Sequence, residues 1–283
     1  MSINTQKVTK TPKVSVLMPV YKTPENYLRE AVESILNQTY TDFEFLILDD
    51  CPDKPVEQIV KSYKDKRIKY TKNPKNFGIS DSRNKLIDMA QGEYLAVMDH
   101  DDVSLPERFA KQVAFLDLHK EIGVVGTWYE RFPDSKIKKR YVIDSQIKRD
   151  LMYNCSILHP SSMIRKSVLL QNNIRYKAEF SPAEDYALWI QLIGKTKFAN
   201  IPEELFLYRR HQSNTSKLQL TKMLEVSKQI RNYNQQIHPD LYSSATRCTN
   251  YIPFFFKRRQ KGCSYYYKIC NFIKIHQQEK IIM

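Results

Sequence analysis

Residues 13–50 read KVSVLMPVYKTPENYLREAVESILNQTYTDFEFLILDD, and the switch of hydrophobic period inside this stretch decides the fold class. Lys13 to Val20 is a Val- and Leu-rich run that predicts a buried strand. Thr23 then offers an N-cap, and Pro24 a first helical position. Leu28, Ala31, Val32, Ile35 and Leu36 recur at helical spacing, so a helix follows and packs back on the strand. Phe43 to Leu48 is a second apolar run, ending in Asp49 and Asp50. Strand, helix and strand in this order form a βαβ unit, the building block of an α/β sheet.

The alternation continues outward. A weaker helix is predicted over Val56 to Tyr63, a short strand near Ile68 to Thr71, a turn at Asn76-Phe77-Gly78 and a helix over Ser80 to Ala90. Tyr94 to Met98 is a further strand and runs straight into Asp99-His100-Asp101-Asp102. Pro106 opens a helix carrying Phe109, Val113, Phe115, Leu116 and Leu118, and Ile122 to Trp128 reads as a strand. Beyond residue 130 the pattern is irregular. A basic, loop-like stretch covers Lys136 to Arg140, helices are predicted at Gln146 to Tyr153 and Asp185 to Ile193, and a strand at Leu205 to Arg210.

Composition excludes several classes. The chain has 283 residues, 42% hydrophobic and 12% aromatic, enough to bury a full core. Its six glycines lie at 78, 92, 123, 126, 194 and 262, never one residue apart, so neither a GxGxxG fingerprint nor a Walker A loop is present. The five cysteines (Cys51, Cys155, Cys248, Cys263, Cys270) contain no CxxC pair, which argues against a disulfide framework or a cysteine zinc site. HExxH is absent too. A polar N-terminus without an apolar signal region, taken as flexible over residues 1–12, and no apolar run of spanning length place the expectation in a reducing cytoplasmic compartment. The net charge of +14 is uneven: from Ser216 to Met283, 12 Lys and Arg face 3 acids.

Acids gather where strands end, and open α/β sheets bind ligands beyond the carboxyl ends of their strands. Three carboxylates within Asp99-His100-Asp101-Asp102 repel one another unless a cation or donor network offsets them. Mg²⁺ or Mn²⁺ together with a diphosphate suits such a set; a solvated turn capping the next helix is the plainer alternative. Asp50 either accepts a base N–H or ribose hydroxyl, or belongs to a plain turn before Pro52. Arg83 either faces a base or diphosphate, or pairs with an acid on the sheet rim. Glu184-Asp185 is a dipole-matching helix start or carries a general base, and periodicity does not choose between them. His211, within YRRHQSN, lies just past a strand among groups suited to phosphate, or in a surface loop; His159 in LHPS carries a weaker signal.

Taken together, these segments resemble the family 2 glycosyltransferases. VSVLMPVYKTPENYLREAVESILNQTYTDFEFLILDD is similar to that family's first strand, helix and second strand. NFGISDSRN resembles its N-x-G-x-x-x-A/S-R-N segment, and GEYLAVMDHDDVSLPERF its DxD stretch with the following Leu-Pro-x-Arg. PAEDYALWIQL and YRRHQSN are similar to its E-D and Y-R-x-H segments. The resemblance implies a GT-A fold over 13–216, a Rossmann-like mixed central sheet flanked by helices, with a nucleotide-binding half at 13–128 and an acceptor-binding half at 129–216. It further implies that Pro19, Val20, Tyr21, Asp50 and Arg83 contact the nucleotide of a nucleotide-sugar donor, with Asp50 toward the base, Asp99 toward the ribose or a metal-bound water, and His100 beside it. Asp101 would ligate Mn²⁺ or Mg²⁺, with His211 able to join it, and Asp185 would be the base with Glu184 next to it. The implied reaction moves sugar from a nucleotide donor, most often a UDP-sugar in the family, to a hydroxyl of a glycan, lipid-linked or protein-linked acceptor, with inversion. Cys51-Pro52-Asp53 departs from the more polar segment usual there, which puts local base contacts in question.

Residues 217–283 read as a basic, aromatic, helical extension. Tyr251 to Lys274 interleaves aromatics with cations, which suits an anionic membrane surface, so a peripheral position on an inner membrane face is one expectation. A C-terminal helix packed on the domain is the other; nucleic acid is the weaker reading, because no nucleic-acid motif is present. Two other function classes compete with transfer: a sugar-nucleotide hydrolase or nucleotidyltransferase, and a non-catalytic sugar-nucleotide- or glycan-binding module.

Overall fold

A computed structural model describes residues 11–212 and 214–241. The elements run β1 (Val14–Val20), α1 (Glu25–Leu36), β2 (Phe43–Asp49), α2 (Glu57–Lys61), β3 (Ile68–Lys72), α3 (Ile79–Met89), β4 (Tyr94–Val97) and β5 (Val103–Ser104). They continue with α4 (Arg108–Leu118), β6 (Ile122–Phe132), β7 (Lys136–Lys138), α5 (Asp144–Asp150), β8 (Met163–Arg165), α6 (Lys166–Gln171), α7 (Glu184–Leu192), β9 (Lys197–Arg209), α8 (Thr215–Leu218) and α9 (Leu220–Ile237).

One sheet takes strands in the order β3-β2-β1-β4-β8-β6-β9-β5, with β7 paired to β6. The first four strands are parallel, β8 runs antiparallel to β4 and β6, and β6 and β9 are parallel. This is the mixed α/β sheet expected from the first half of the sequence. Every residue of β1 and β2 is buried, which explains why they read as continuous apolar runs rather than alternating ones. Register brings Val20 beside Asp49, so β1 and β2 end together. The Met98 N–H donates to the Leu17 carbonyl, so the chain leaves β4 next to the same edge. Three carboxyl ends therefore open toward one place.

The structure corrects several local expectations. Thr23 does not cap α1. Its hydroxyl is 2.8 Å from His100 Nδ1, while the extended Pro24 precedes the helix without a side-chain cap. The stretch from Lys136 is not a loop: Lys136–Lys138 is β7, paired with Tyr129–Arg131. The strand predicted at Leu205 to Arg210 begins at Lys197, eight residues earlier. Its middle, Pro202-Glu203-Glu204, breaks the apolar pattern where the pairing with β6 shifts register around Trp128. The two- and three-residue strands β5, β7 and β8 are too short to show any period.

The compact unit that carries the site continues through α9, which buries Val226, Ile230 and Asn234. Among the described residues, no helix is long and apolar enough to cross a membrane. The aromatic and basic run at 251–274 lies outside the described residues.

Candidate active site

Asp49 and Asp50 close β2 as the hub of a turn. Asp49 accepts the N–H groups of Cys51 (3.0 Å) and Val56 (2.8 Å) and the Tyr70 hydroxyl (2.8 Å). Asp50 accepts Asn73 Nδ2 (2.7 Å) and the N–H groups of Phe77 (3.0 Å) and Gly78 (2.9 Å). Gly78 precedes α3 with φ +88°, a conformation glycine adopts without strain, and so Asp50 fixes the start of the helix that carries Arg83. With three donors on about four acceptor sites, Asp50 keeps room for one more.

The turn after β4 is pinned from the far end of the sheet. The Arg209 N–H donates to Asp102 Oδ1 at 2.8 Å, and Arg209 Nε donates to the Asp101 carbonyl at 2.6 Å. The Arg209 guanidinium also bonds Glu30 and lies over the Tyr27 and Phe132 rings. The end of β9 thereby delivers His211, whose Nε2 is 2.8 Å from Asp101 Oδ2. The same nitrogen lies 3.0 Å from Asn214 Nδ2. Asp102 is fully buried, and its Oδ2 has no partner among the described residues. Burial, and then the neighbouring Asp101 and Asp99, push its carboxyl well above the usual range.

Arg83 of α3 joins the turn to α7. Its Nη1 donates to Glu184 Oε1 at 2.6 Å and its Nη2 to Asp99 Oδ1 at 3.1 Å. Burial alone would lower the guanidinium pKa, yet Asp99 and Glu184 hold it above its ordinary value. Burial pushes Asp99 upward against the pull of Arg83. Asp185, the next residue on α7, is half-buried; its Oδ1 accepts the Tyr186 N–H, and Cys155 Sγ lies 3.9 Å from its Oδ2. Burial, and then Glu184, push this carboxyl up to about 6, with Arg83 opposing. A carboxylate poised near neutrality beside a fixed cation is equipped to accept a proton.

A family model, "Glycosyl transferase family 2", matches residues 15–172. The chain belongs to this family. The glycosyltransferase is 38% identical to an uncharacterised glycosyltransferase of Methanocaldococcus jannaschii over 207 residues, 70% of this chain and 71% of that protein. It is 32% identical to the O-antigen biosynthesis glycosyltransferase WbnJ of Escherichia coli over 216 residues, 72% of this chain and 82% of that one. Its fold is similar to that of S. aureus TarS 1–349 in complex with UDP-GlcNAc, with a TM-score of 0.66 and 21% identity over 81% of this chain and 71% of that one. The mannosyltransferase PcManGT of Pyrobaculum calidifontis, in complex with GDP-Man and Mn²⁺, aligns at a TM-score of 0.56 and 13% identity, covering 94% and 81%. The fold is GT-A, and membership makes the chain a nucleotide-sugar-dependent transferase.

Within this glycosyltransferase the residues expected from sequence divide in two. Asp99, Arg83 and Glu184 are hydrogen-bonded into one network with Asp185 alongside, and Asp101 meets His211. Arg83 faces acids, the second of its two sequence readings. His100 is engaged by Thr23, and Pro19 and Val20 are buried within β1, where the Val20 carbonyl accepts the Asp50 N–H. Tyr21, just beyond, exposes 40% of its surface at the strand end. A cavity of about 340 Å³ between Pro106, Trp128 and Glu203 is lined by none of these residues.

A divalent cation fits the Asp101–His211 pair in donor chemistry. No three His, Cys, Asp or Glu side chains among the described residues gather into a metal cage. Mg²⁺ and Mn²⁺ need no such cage, because one or two protein ligands suffice when phosphate and water complete the shell. His211 Nε2 lies within reach of both Asp101 Oδ2 and Asn214 Nδ2, and a neutral ring nitrogen cannot both donate to the first and accept from the second. Sequence reasoning missed Tyr176 and Asn84 as neighbours of the site, gave His159 only a weak signal and read Thr23 as a cap, since no local pattern announces contacts between distant segments.

Proposed function

We propose that this chain transfers a sugar from a UDP-sugar to a hydroxyl of a glycan, lipid-linked or protein-linked acceptor by direct displacement with inversion, at a site assisted by Mn²⁺ or Mg²⁺. The observation that carries this reading is Asp185: half-buried, its pKa pushed up to about 6, and set beside the Arg83–Glu184–Asp99 network. Asp185 takes the acceptor proton as the hydroxyl oxygen bonds to the anomeric carbon, and the bond to the nucleoside diphosphate breaks on the opposite face with its electron pair. Glu184 stays ion-paired to Arg83 and so leaves the proton transfer to its neighbour. Asp101 and His211 would hold the cation, which when bound neutralises charge on the leaving diphosphate. Tyr21 supplies an exposed ring for the base and Asp50 its one remaining acceptor site.

Residues 13–128 are the donor half and 129–216 the acceptor half in this proposal, with the reaction on the cytoplasmic side of a membrane. The choice of a UDP-sugar draws support from TarS, solved with UDP-GlcNAc, and a glycan acceptor from WbnJ, named for O-antigen biosynthesis. A nucleoside diphosphate release assay over a panel of UDP-, GDP- and dTDP-sugars, with and without saccharide and lipid-linked acceptors, tests it. Release that depends on acceptor and cation is the expected result. Acceptor-independent release would assign a hydrolase, and donor binding without release a binding module.

A further inference from the structure

Behind Arg83 lies a row of buried side chains that the reaction as written does not use. The guanidinium stands 5.5 Å from the centroid of the Tyr176 ring. The Tyr176 hydroxyl is 2.7 Å from His159 Nε2, and the two rings meet edge to face at 83°. His159 packs in turn on Trp189, with centroids 5.7 Å apart. Trp189 belongs to α7, the helix that begins with Glu184 and Asp185. The row therefore leaves α7 at its first turn through Glu184, passes Arg83, Tyr176 and His159, and returns to the same helix five residues later.

Further contacts lock this ring of residues. Asn84, next to Arg83 on α3, clasps the Tyr176 main chain with both ends of its amide, Nδ2 to the carbonyl at 2.8 Å and Oδ1 from the N–H at 3.0 Å. Tyr176 and His159 are 4% and 3% exposed, so neither reaches solvent or substrate. Burial, and then the Arg83 charge, hold His159 well below its ordinary pKa, which keeps a neutral imidazole opposite the tyrosine hydroxyl. His159 Nδ1, Trp189 Nε1 and Arg83 Nε are buried without a hydrogen-bond partner among the described residues. Three unpaired polar atoms in one row are costly if packing is their only purpose, since an apolar core would avoid that penalty.

We infer that Tyr176, anchored by His159 and Asn84, is a positioning residue that holds Arg83 at its place between Glu184 and Asp99 and so sets the electrostatic environment of Asp185. The Tyr176 ring packs against a guanidinium whose two Nη atoms are taken by Glu184 and Asp99. Without it Arg83 is free to swing along the α3–α7 gap, and Asp185 loses the cation that opposes its protonation. The inference rests on Asp185 and Arg83 sharing a site, not on Asp185 being the base. The groups facing Asp185 are Glu184 on its own helix, Arg83 from α3, Asp99 from the end of β4, and Cys155 from the segment after α5.

The test reads Asp185 directly. The full chain is labelled with [¹³C]carboxyl aspartate, the Asp185 resonance is assigned by its loss in Asp185→Asn, and it is titrated between about pH 4 and 8, a range that brackets carboxyl shifts of this kind. Tyr176→Leu removes the ring face and should raise the Asp185 midpoint by about one pH unit; Tyr176→Phe, which loses only the anchor, should raise it less. With the donor that the release assay selects, Tyr176→Leu should lower kcat by about 10²-fold and change donor KM by less than about threefold. A midpoint that is unchanged or lowered in folded Tyr176→Leu overturns the inference; if that variant does not fold, Tyr176→Phe decides in the same way. Should Asp185→Asn retain full transfer, the proposed base is wrong, while the midpoint shifts still decide the role of Tyr176.

Discussion

Asp49 and Asp50 at the end of β2, and Asp101 and Asp185 across the cleft, look alike in sequence: acids where strands end or helices begin. Three donors reach each member of the first pair, most of them main-chain N–H groups, from the turn after β2 for Asp49 and from the segment before α3 for Asp50. In the second pair Asp101 meets one imidazole, and Asp185 one N–H and a distant thiol. The first pair spends most of its acceptor capacity on shape, with one site left on Asp50, and the second keeps most of its capacity open. The number of protein donors on a carboxylate, more than its place in a motif, separates the acid that builds the turn from the acid proposed to do chemistry.

The strongest way to break this contrast is Asp101→Ala. It should lower turnover by about 10²- to 10³-fold and abolish the Mn²⁺ dependence of UDP binding, while leaving the melting temperature near that of the parent. Calorimetric titration of UDP with and without Mn²⁺ checks it, and retained metal dependence would remove Asp101 from the site. Asp49→Asn should behave in the opposite way. An amide turned toward donors loses the turn, costing about 2–4 kcal/mol in urea unfolding.

A smaller effect follows from Asp185. Because its pKa is raised to about 6, the proposed base is lost as pH falls through that value, so kcat should drop about tenfold per pH unit on the acid side. The sign for stability is the reverse of that for a salt-bridged carboxylate. A raised folded pKa penalises the native state at neutral pH, so Asp185→Asn should be more stable than the parent at pH 7 by on the order of 1–2 kcal/mol. That advantage should shrink as pH falls from about 6 through 4 and vanish below it, where the parent carboxyl is protonated in both states. A constant difference across the range would contradict the shift. The smallest effect belongs to Asp102, whose burial already disfavours its charge; Asp102→Asn keeps an oxygen for the Arg209 N–H and should change stability by less than about 1 kcal/mol.

The same contrast explains what the sequence revealed. β1, α1 and β2 were legible because each is long, periodic and bounded by local signals, and the acids stood out because strand ends are where α/β sheets bind ligands. β9 was only half legible, since Pro202-Glu203-Glu204 interrupts a strand that β6 holds in place through shifted register. The partners of the site were less legible still. Arg83 meets Glu184 across 101 residues, and His211 meets Asp101 across 110, so only the folded sheet brings them together. Thr23 illustrates the cost of local reasoning: its hydroxyl suits an N-cap, but His100, 77 residues away, takes it instead.

Asp185→Asn tests the central claim most directly. The substitution keeps the shape of the side chain and removes its capacity to accept a proton. Donor binding, followed by titration calorimetry with the nucleotide sugar that the release assay selects, should stay within about threefold of the parent, while acceptor-dependent release of nucleoside diphosphate falls by about 10²- to 10⁴-fold. Undiminished transfer in a folded Asp185→Asn protein that still binds its donor would contradict the account.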